Sequence, residues 1–383
     1  MSNAPSPHDD DTMHTATEHD EHLAHDPSTA RAVGTGTPAD AQPILSIAIK
    51  ALNEEEKIAG CIESAIRACE ACQVSYEIVL ADSISTDRTL EIAGRYPVRI
   101  VQFSQIDDRG CGAGVQLGYA YTRGKYVYVL DGDMEFADGF LPDALRFMEE
   151  HPEVGGVGGT VTDTRVLNFA DQLRVVNKST STPGEARWLG QGGLYRRAAI
   201  DAAGGYAADR NLLAYEEADL GMRLRSAGYR IVRMPVESIR HTGHDMSIWE
   251  IWRRHWRSGR ARAGGVVLRA AFGRPWLSDA LKMLLHPILM FGWWVALLAS
   301  LLLPTPARWV VGGGLLAVLA GGLLVQVARK RSLRHVLISL YHWNYAAAGT
   351  LLGLFERRMD PSTPIAATVL REEGTRAPRP GAD

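Results

Sequence analysis

Two aspartates separated by one glycine stand out as residues that can do chemistry. Asp131 and Asp133 follow the run YVYVL at 126–130, whose apolar residues are typical of a buried strand. Where such a strand ends, carboxylates at positions i and i+2 point to the same side. Two hard oxygen ligands on one side suit Mg²⁺ or Mn²⁺, with phosphate and water oxygens completing the coordination. The same spacing occurs at Asp9 and Asp11 in a polar segment, so the pair by itself is equally consistent with two solvated acids.

An acidic cluster later in the chain is the second candidate. Glu216, Glu217 and Asp219 stand at the start of a helical pattern over 216–227. The helix dipole favours acids at that end, but three acids exceed what a helix start needs. Arg223 follows Asp219 at the i+4 spacing of a helical ion pair. The cluster therefore fits a functional site as well as a helix start.

Asp82 and two histidines are further candidates with structural alternatives. Asp82 ends the predicted strand 76–81, where its carboxylate can bind a base or ribose or cap the helix near Thr86. His241 and His244 follow a later predicted strand, and either could be a late metal ligand. A single histidine is more often structural than a ligand.

Alternating strands and helices must position these residues. The polar, acidic and histidine-rich stretch 1–43 is predicted to be a disordered tail. Strand patterns then occur at 44–50, 76–81, 98–103 and 126–130, with helical patterns between them. This order predicts an α/β fold, with a doubly wound, mostly parallel sheet in a domain over 44–245. Ligands bind such sheets outside the carboxyl ends of the strands, where Asp82 and Asp131 stand.

The later part of the chain predicts a membrane region. Two charge-free apolar segments, 283–303 and 309–328, each have the length of a bilayer-spanning helix, and PTPAR between them suits a turn. We therefore predict a transmembrane helical hairpin over 277–330. Basic residues flank the hairpin on both sides, which places its two ends and the N-terminal domain in the cytoplasm.

The segments before and after this hairpin are predicted to differ from it in structure. The stretch 246–276 predicts a basic juxtamembrane helix suited to a membrane surface, although its arginines could also reach phosphates. Residues 331–360 favour an interfacial helix over a third span. Residues 361–383 are predicted to be a disordered tail.

Composition excludes several classes of function. The formal net charge of −3 argues against a nucleic-acid partner. Four cysteines supply one C-x-x-C, at Cys69 and Cys72, and no second pair that would complete a zinc site. The two cysteines share helical spacing with apolar residues, so they are predicted to pack as reduced thiols.

Between residue 44 and about 262, five segments resemble, in the same order, the inverting family-two glycosyltransferases of the GT-A fold. They are SIAIKALNEEEKIAGCIESA, ADSISTDRTLEIA, RGCGAGVQLGYAYTRGKYVYVLDGDMEF, GQGGLYRRAAIDAAGGY and YEEADLGMRLRSAGYRI. They correspond to the nucleotide-facing opening, the D-x-x-S-T-D-x-T segment, the stretch leading to the D-x-D, the acceptor side and the E-D segment. Each is a weak signal alone, but the order is specific.

The resemblance implies roles for particular residues. By motif position Glu217 is the catalytic base, with Glu216 and Asp219 as alternatives because the family more often has aspartate there. An Mg²⁺ or Mn²⁺ ion would be held by Asp131 and Asp133, with His241 as a further ligand. Donor contacts are expected from Asn53, Glu54, Asp82, Arg109, Gly110, Asp131, Gly132 and Asp133. Acceptor-side contacts are expected from Gln191, Gly192, Gly193, Arg254 and Arg257.

The implied activity is transfer of a sugar from a nucleotide-diphosphate sugar to a lipid-linked or growing-glycan acceptor. The enzyme would work at the cytoplasmic face of the plasma or inner membrane, in contact with membrane lipids, in polysaccharide or glycolipid biosynthesis. Processive synthases carry Q-x-x-R-W, whereas the corresponding run here is WRRHW at 252–256. A processive synthase, a polyprenyl-phosphate sugar transferase and a non-catalytic nucleotide-sugar-binding membrane protein are the alternatives.

Overall fold

The computed structural model describes residues 42–163, 182–241 and 247–377. Its strands are β1 Leu45–Ala51, β2 Tyr76–Asp82, β3 Arg99–Phe103, β4 Tyr126–Asp131, β5 Met134–Phe136, β6 Val154–Asp163, β7 Gly184–Glu185, β8 Gly193–Arg196, β9 Arg230–His241 and β10 Ala367–Arg371. Its helices are α1 Ile58–Ala71, α2 Thr89–Ala93, α3 Cys111–Ala120, α4 Phe140–Glu150, α5 Arg197–Ala202, α6 Glu216–Ser226, α7 Ile248–Arg257, α8 Ala263–Ala271, α9 Leu277–Met283, α10 Leu285–Ser300, α11 Ala307–Lys330 and α12 Leu333–Gly353. His244 and nearly all of the predicted N-terminal tail lie outside the described residues.

One sheet holds these strands, in the order β10-β3-β2-β1-β4-β8-β6-β9-β5, with β7 beside β9. β1 pairs parallel with both β2 and β4, and β2 pairs parallel with β3. β8 runs antiparallel to both β4 and β6, so the sheet becomes mixed beyond β4. The predicted α/β sheet is confirmed. The four strands that the sequence indicated form one parallel block, and β6 and β9 form a further parallel pair.

Helices cover both faces of the parallel strands. Ile47 and Ile49 face one layer, which includes α1 and α4, whereas Ala48 faces the other with Leu220 of α6. Successive side chains of a strand point to opposite faces, and here both faces are buried. The continuous apolar sequence of β1 follows from this arrangement.

Two of the helices between the parallel strands begin several residues after the preceding strand ends. α1 begins at Ile58, so Glu54 to Glu56 lie in the preceding turn and not in its first turn. α2 is limited to Thr89–Ala93, because Asp87 Oδ1 accepts a hydrogen bond from the Thr89 N–H at 2.9 Å. Such local side-chain bonds compete with the helix for backbone groups.

The predicted hairpin region contains three helices. α9 and α10 are separated by Leu284 and meet with a bend of 74°. α11 has a mean hydropathy of 2.1 and 24 residues. By length and composition, the described residues therefore contain one helix able to cross a membrane, or two if the bent pair forms one span.

The prediction of a disordered tail over 361–383 was wrong for the described part of that segment. β10 pairs antiparallel with β3 and covers that edge of the sheet. Further on, Tyr76 and Arg376 exchange backbone hydrogen bonds of 3.0 and 2.8 Å. The sequence signal was weak because β10 is a short edge strand, in which only alternate residues pack inward.

Candidate active site

The site lies where the parallel strands end. In the strand register, Lys50 of β1 is opposite Asp131 of β4, and Ala51 is opposite Asp82 of β2. Asp82 and Asp131 thus flank the end of β1 from its two sides. This is the edge at which doubly wound sheets bind ligands, as the sequence predicted.

Lys50 joins two of the predicted acidic groups. Its Nζ lies 3.3 Å from Asp131 Oδ1 and 3.2 Å from Glu216 Oε1. Burial alone would lower the pKa of Lys50, but Asp131 and Glu216 raise it well above the usual value. Lys50 is therefore a fixed positive charge between the D-x-D turn and the start of α6.

Glu217 faces the same space in a different environment. A cavity is lined by Lys50, Val115, Val129, Asp131, Gly192, Tyr195, Ala207, Ala208, Glu216, Glu217 and Leu220. Burial, reinforced by the charges of Glu216 and Asp131 and opposed by Lys50, raises the pKa of Glu217 to about 8. No lysine or arginine is paired with Glu217 among the residues that the structure describes. A carboxylate of this kind is suited to accept a proton near neutral pH.

The third acid of the cluster is engaged elsewhere. Asp219 is 1% exposed, and Arg223 Nε donates to its Oδ2 at 2.8 Å, as the i+4 spacing predicted. Arg223 also donates to the backbone carbonyls of Ala203 and Tyr206. Asp219 is not among the residues that line the cavity. Its side chain pairs with Arg223, and Arg223 links α6 to the chain that precedes it.

Asp133 turns away from Lys50 towards β9. Its Oδ2 lies 3.4 Å from Nε2 of His241, which pairs in register with Met134. Burial, Asp133 and Asp131 raise the pKa of Glu54 to about 7, although Lys57 opposes them. Carboxylates this close together carry a negative charge that a divalent cation would offset.

These residues fit a metal ion that also takes ligands from its substrate. Among the described residues no group of three or more histidine, cysteine or acidic side chains is arranged to hold a metal by itself. Asp133 and His241, whose side chains lie 3.4 Å apart, nevertheless offer oxygen and nitrogen donors, and Asp131, two residues before Asp133, adds a further carboxylate. Mg²⁺ in phosphate-transfer sites ordinarily has one or two carboxylates and fills its shell with phosphates and water.

Gly132 has a packing role. A Cβ at this position would lie 3.2 Å from Lys50 O and 3.3 Å from both Ala51 Cβ and Glu54 Cγ. Its N–H donates to Lys50 O at 2.9 Å. The absence of a side chain lets the D-x-D turn fit against the end of β1.

Asn53 and Asp82 shape the donor-side loops from within. Asn53 has a φ of 56°, and its Oδ1 accepts a hydrogen bond from the Thr86 N–H at 2.8 Å. Asp82 is fully buried, and it accepts from Ser85 and from Gln102 Nε2 at 2.9 Å. Both residues therefore fix the loop geometry beside the site.

The glycine-rich segment RGCGAG at 109–114, here called the glycine turn, also lies at this edge of the sheet. Arg109 donates to Ile106 O at 3.1 Å and to Ser83 O at 3.2 Å, so it joins two loops. Gly110 precedes α3, and a Cβ there would lie 2.9 Å from Leu213 Cδ2. The turn is thus packed against the chain that leads to the acidic cluster.

Of the predicted acceptor-side residues Gln191, Gly192 and Gly193, the structure places Gly192 on the cavity lining. Gln191 and Gly192 have φ values of 64° and 95°, and Gly192 lines the cavity. A Cβ at Gly193 would lie 2.5 Å from Leu189 Cδ1. The Gln191 side-chain oxygen is buried without a hydrogen-bond partner among the described residues.

The arginines after β9 fall into two groups. Arg254 and Arg257, predicted on the acceptor side, line an open groove with Glu250, Arg253 and Ser258. Arg260 instead interacts electrostatically with Glu216, Glu217 and Asp131. Burial lowers its pKa, but Cys111, Glu216, Glu217 and Asp131 raise it above its usual value.

Sequence reasoning missed Lys50 and did not single out Arg260. Lys50 is a charged residue at the end of the apolar run ILSIAIK, and that break in the pattern is a signal that could have been used. Arg260 had no comparable signal, because it is one of seven arginines over 251–278.

Two family models match this chain. The family model described as Glycosyl transferase family 2 matches residues 46–195. The model described as Glycosyl transferase family group 2 matches residues 126–354, which is more than half of the chain.

Two curated proteins are similar over shorter stretches. The low-salt glycan biosynthesis hexosyltransferase Agl6 of Haloferax volcanii is 36% identical over 110 residues, 29% of this chain and 26% of the relative. An undecaprenyl-phosphate 4-deoxy-4-formamido-L-arabinose transferase of Edwardsiella ictaluri is 29% identical over 125 residues, 32% of this chain and 38% of the relative. The chain therefore matches well under half the length of either protein.

A solved structure extends the likeness to most of the fold. Mannosyltransferase PcManGT from Pyrobaculum calidifontis, in complex with GDP-Man and Mn²⁺, has a TM-score of 0.52 at 19% identity. The similarity covers 83% of this chain and 88% of that chain.

Proposed function

Because the chain belongs to the family-two glycosyltransferases, we propose that it transfers a sugar from a nucleotide-diphosphate sugar to an acceptor hydroxyl with inversion. The observation that carries this proposal is the Lys50 bridge. It joins Asp131 to Glu216, the neighbour of Glu217. One cavity is therefore lined both by an acid proposed to act on the leaving diphosphate, Asp131, and by an acid proposed to act on the acceptor hydroxyl, Glu217.

Glu217 is the proposed general base. Its carboxylate takes the proton of the acceptor hydroxyl as the acceptor oxygen bonds to the anomeric carbon. The bond from that carbon to the diphosphate breaks on the opposite face, and its electron pair leaves with the nucleotide. Arg260, whose positive charge acts on the same acids, is placed to offset the negative charge that develops.

Mg²⁺ or Mn²⁺ is the proposed cofactor. Asp131, Asp133 and His241 would hold it, and when bound it would supply positive charge to the leaving diphosphate. The Mn²⁺ in the mannosyltransferase of similar fold supports this assignment.

The acceptor is proposed to be lipid-linked or a growing glycan at the membrane surface. The helices α7 and α12 carry a cluster of aromatic rings beside the arginine groove. Trp252 stacks on Tyr341 at 4.7 Å, and Trp249 lies 5.1 Å from each of them. Trp249 is 56% and Tyr341 46% exposed. Aromatic rings beside arginines are typical of a surface in contact with lipid headgroups.

A polyprenyl phosphate is the second candidate acceptor. The groove of Arg253, Arg254 and Arg257 suits a phosphate, and one of the similar proteins is named for transfer to undecaprenyl phosphate.

With either acceptor, we propose that α11, with or without the bent α9–α10 pair, anchors the enzyme in the cytoplasmic membrane and that the catalytic domain is cytoplasmic.

Donor binding by the purified full-length protein tests the proposal. In the presence of Mn²⁺, at least one member of a panel of nucleotide sugars should raise the unfolding temperature and be slowly hydrolysed. Asp133→Ala should abolish the Mn²⁺-dependent shift, whereas Asp143→Ala, an exposed acid paired with Arg146, should retain it. If no nucleotide sugar stabilises the wild-type protein, the donor assignment is wrong.

A further inference from the structure

The chain returns from α12 to the catalytic domain through residues 354–377, here called the C-terminal strap. Its far end is fixed by β10 against β3 and by the backbone pairing of Arg376 with Tyr76. Its near end is fixed at α8, where Arg269 donates to the carbonyls of Leu354 and Glu356 at 2.9 and 2.8 Å. The strap is therefore held at both ends.

Between these ends the strap binds three consecutive residues of one active-site loop. Arg358 Nη2 donates to Asp209 Oδ2 at 2.7 Å. Asn211 and Met359 exchange two hydrogen bonds, of 2.9 and 2.8 Å. Arg210 donates to the carbonyls of Thr363 and Pro364, both at 3.1 Å.

This loop, residues 203–213, is here called the wall loop because Ala207 and Ala208 line the cavity. It leads directly into α6, which begins with Glu216 and Glu217. It also touches the start of α3, since the Gly112 N–H donates to Leu212 O at 2.8 Å. A shift of the wall loop would therefore move both the acids and the glycine turn.

The ion pair of Arg358 with Asp209 is the contact with the largest consequence. Asp209 is fully buried, and its other oxygen accepts from the backbone and side chain of Asn211 at 3.0 and 2.5 Å. Removing the partly exposed Arg358 leaves Asp209 as a buried carboxylate without its positive partner, which the interior disfavours. The loop would then open to hydrate Asp209.

We propose that Arg358 is a positioning residue for the active site: through Asp209, the C-terminal strap sets the wall loop and hence the placement of Glu217. α12 packs on α8 and α10, so the strap also ties the helices after α7 to the catalytic centre. The catalytic consequence rests on the proposed function, whereas the loop's dependence on Arg358 does not.

Four variants of the full-length protein separate the outcomes. Arg358→Met removes the ion pair, Arg358→Lys retains a positive charge, and Arg371→Met is the matched control. Arg371 lies on the same strap but contacts Gly94 O and Glu373 rather than the wall loop. Asn211→Ala, which removes side-chain bonds to the strap, provides a second route to the same change.

Hydrogen exchange of residues 203–217 is the direct readout. Arg358→Met and Asn211→Ala should speed exchange there by about tenfold or more, while Arg371→Met leaves it unchanged and Arg358→Lys restores protection. In transfer assays, kcat of Arg358→Met should fall about ten- to a hundredfold with a smaller change in donor KM.

Two results would overturn the inference: unchanged exchange in Arg358→Met, or equal exchange in Arg358→Met and Arg371→Met. Faster exchange with unchanged kcat would overturn its catalytic part. If the wild-type protein transfers no sugar, the proposed function fails, and the exchange experiment still decides whether Arg358 holds the wall loop.

Discussion

At the residue scale, the structure gives each acid of the 216–219 segment a different environment. Glu216 is paired with Lys50 and Asp219 with Arg223, whereas Glu217 faces the cavity with a raised pKa. The sequence indicated Arg223 as the partner of Asp219 by its i+4 spacing, but it could rank Glu216 and Glu217 only by motif position. Their partners come from β1 and from within α6, and only the folded chain shows which carboxylate is left to accept a proton.

Replacement of Glu217 tests this division of roles. Glu217→Gln should keep nucleotide-sugar binding but lower transfer by about a hundredfold or more, because general-base contributions are about 10²–10⁴-fold. Glu217→Asp should retain more activity, since it keeps a carboxylate. Donor binding by calorimetry and transfer by a product assay are the measurements, and full activity of Glu217→Gln would move the base elsewhere.

The pH dependence of transfer follows from the same residue. The pKa of Glu217 is raised to about 8, so its base form is lost as the pH falls below that value. We expect kcat to rise with pH up to about 8 and to fall about tenfold for each pH unit below that value.

The stability of the folded state should change with pH in the opposite direction, because the folded state favours the protonated carboxyl of Glu217. Wild-type stability therefore falls as the pH rises from the unfolded pKa to about 8, and Glu217→Gln should unfold at a higher temperature than wild type at pH 8.

At the scale of elements, close backbone contact sets the position of α3. A Cβ at Gly112 would lie 2.2 Å from Asp209 O and 2.9 Å from Leu212 O, and neither backbone atom can move freely. By contrast, the nearest neighbour of a Cβ at Gly114 would be Lys50 Cβ at 3.5 Å. The backbone packing therefore leaves no room for a side chain at Gly112, whereas it leaves room for a Cβ at Gly114.

Alanine substitutions on α3 distinguish these reasons. Gly112→Ala should destabilise the protein by about 1–3 kcal/mol through overpacking. Gly114→Ala should change stability by at most about 1 kcal/mol, towards higher stability because alanine favours a helix. Urea unfolding of both variants is the measurement. Equal effects would show that the wall loop is not packed against α3 in this way.

At the scale of the whole molecule, the proposed anchor makes a topological prediction. If the α10–α11 hairpin crosses the membrane, the turn between these helices lies on the side opposite the catalytic domain. Thr305→Cys should then react with an impermeant maleimide from outside intact cells, and Ser362→Cys on the strap only after lysis. The native Cys72 and Cys111 are replaced by serine in both variants. Labelling of both sites from one side would contradict the predicted spans.

The sequence by itself determined the α/β order, the four parallel strands, the carboxyl-end location of Asp82 and Asp131 and the apolar α11. These features depend on local periodicity, which strand and helix geometry impose residue by residue. Only the tertiary structure decided that Lys50 joins Asp131 to Glu216, that His241 meets Asp133 and that residues 354–377 hold the wall loop. Each of these contacts joins residues 81 or more positions apart, so it depends on sheet register and chain return rather than on any local pattern.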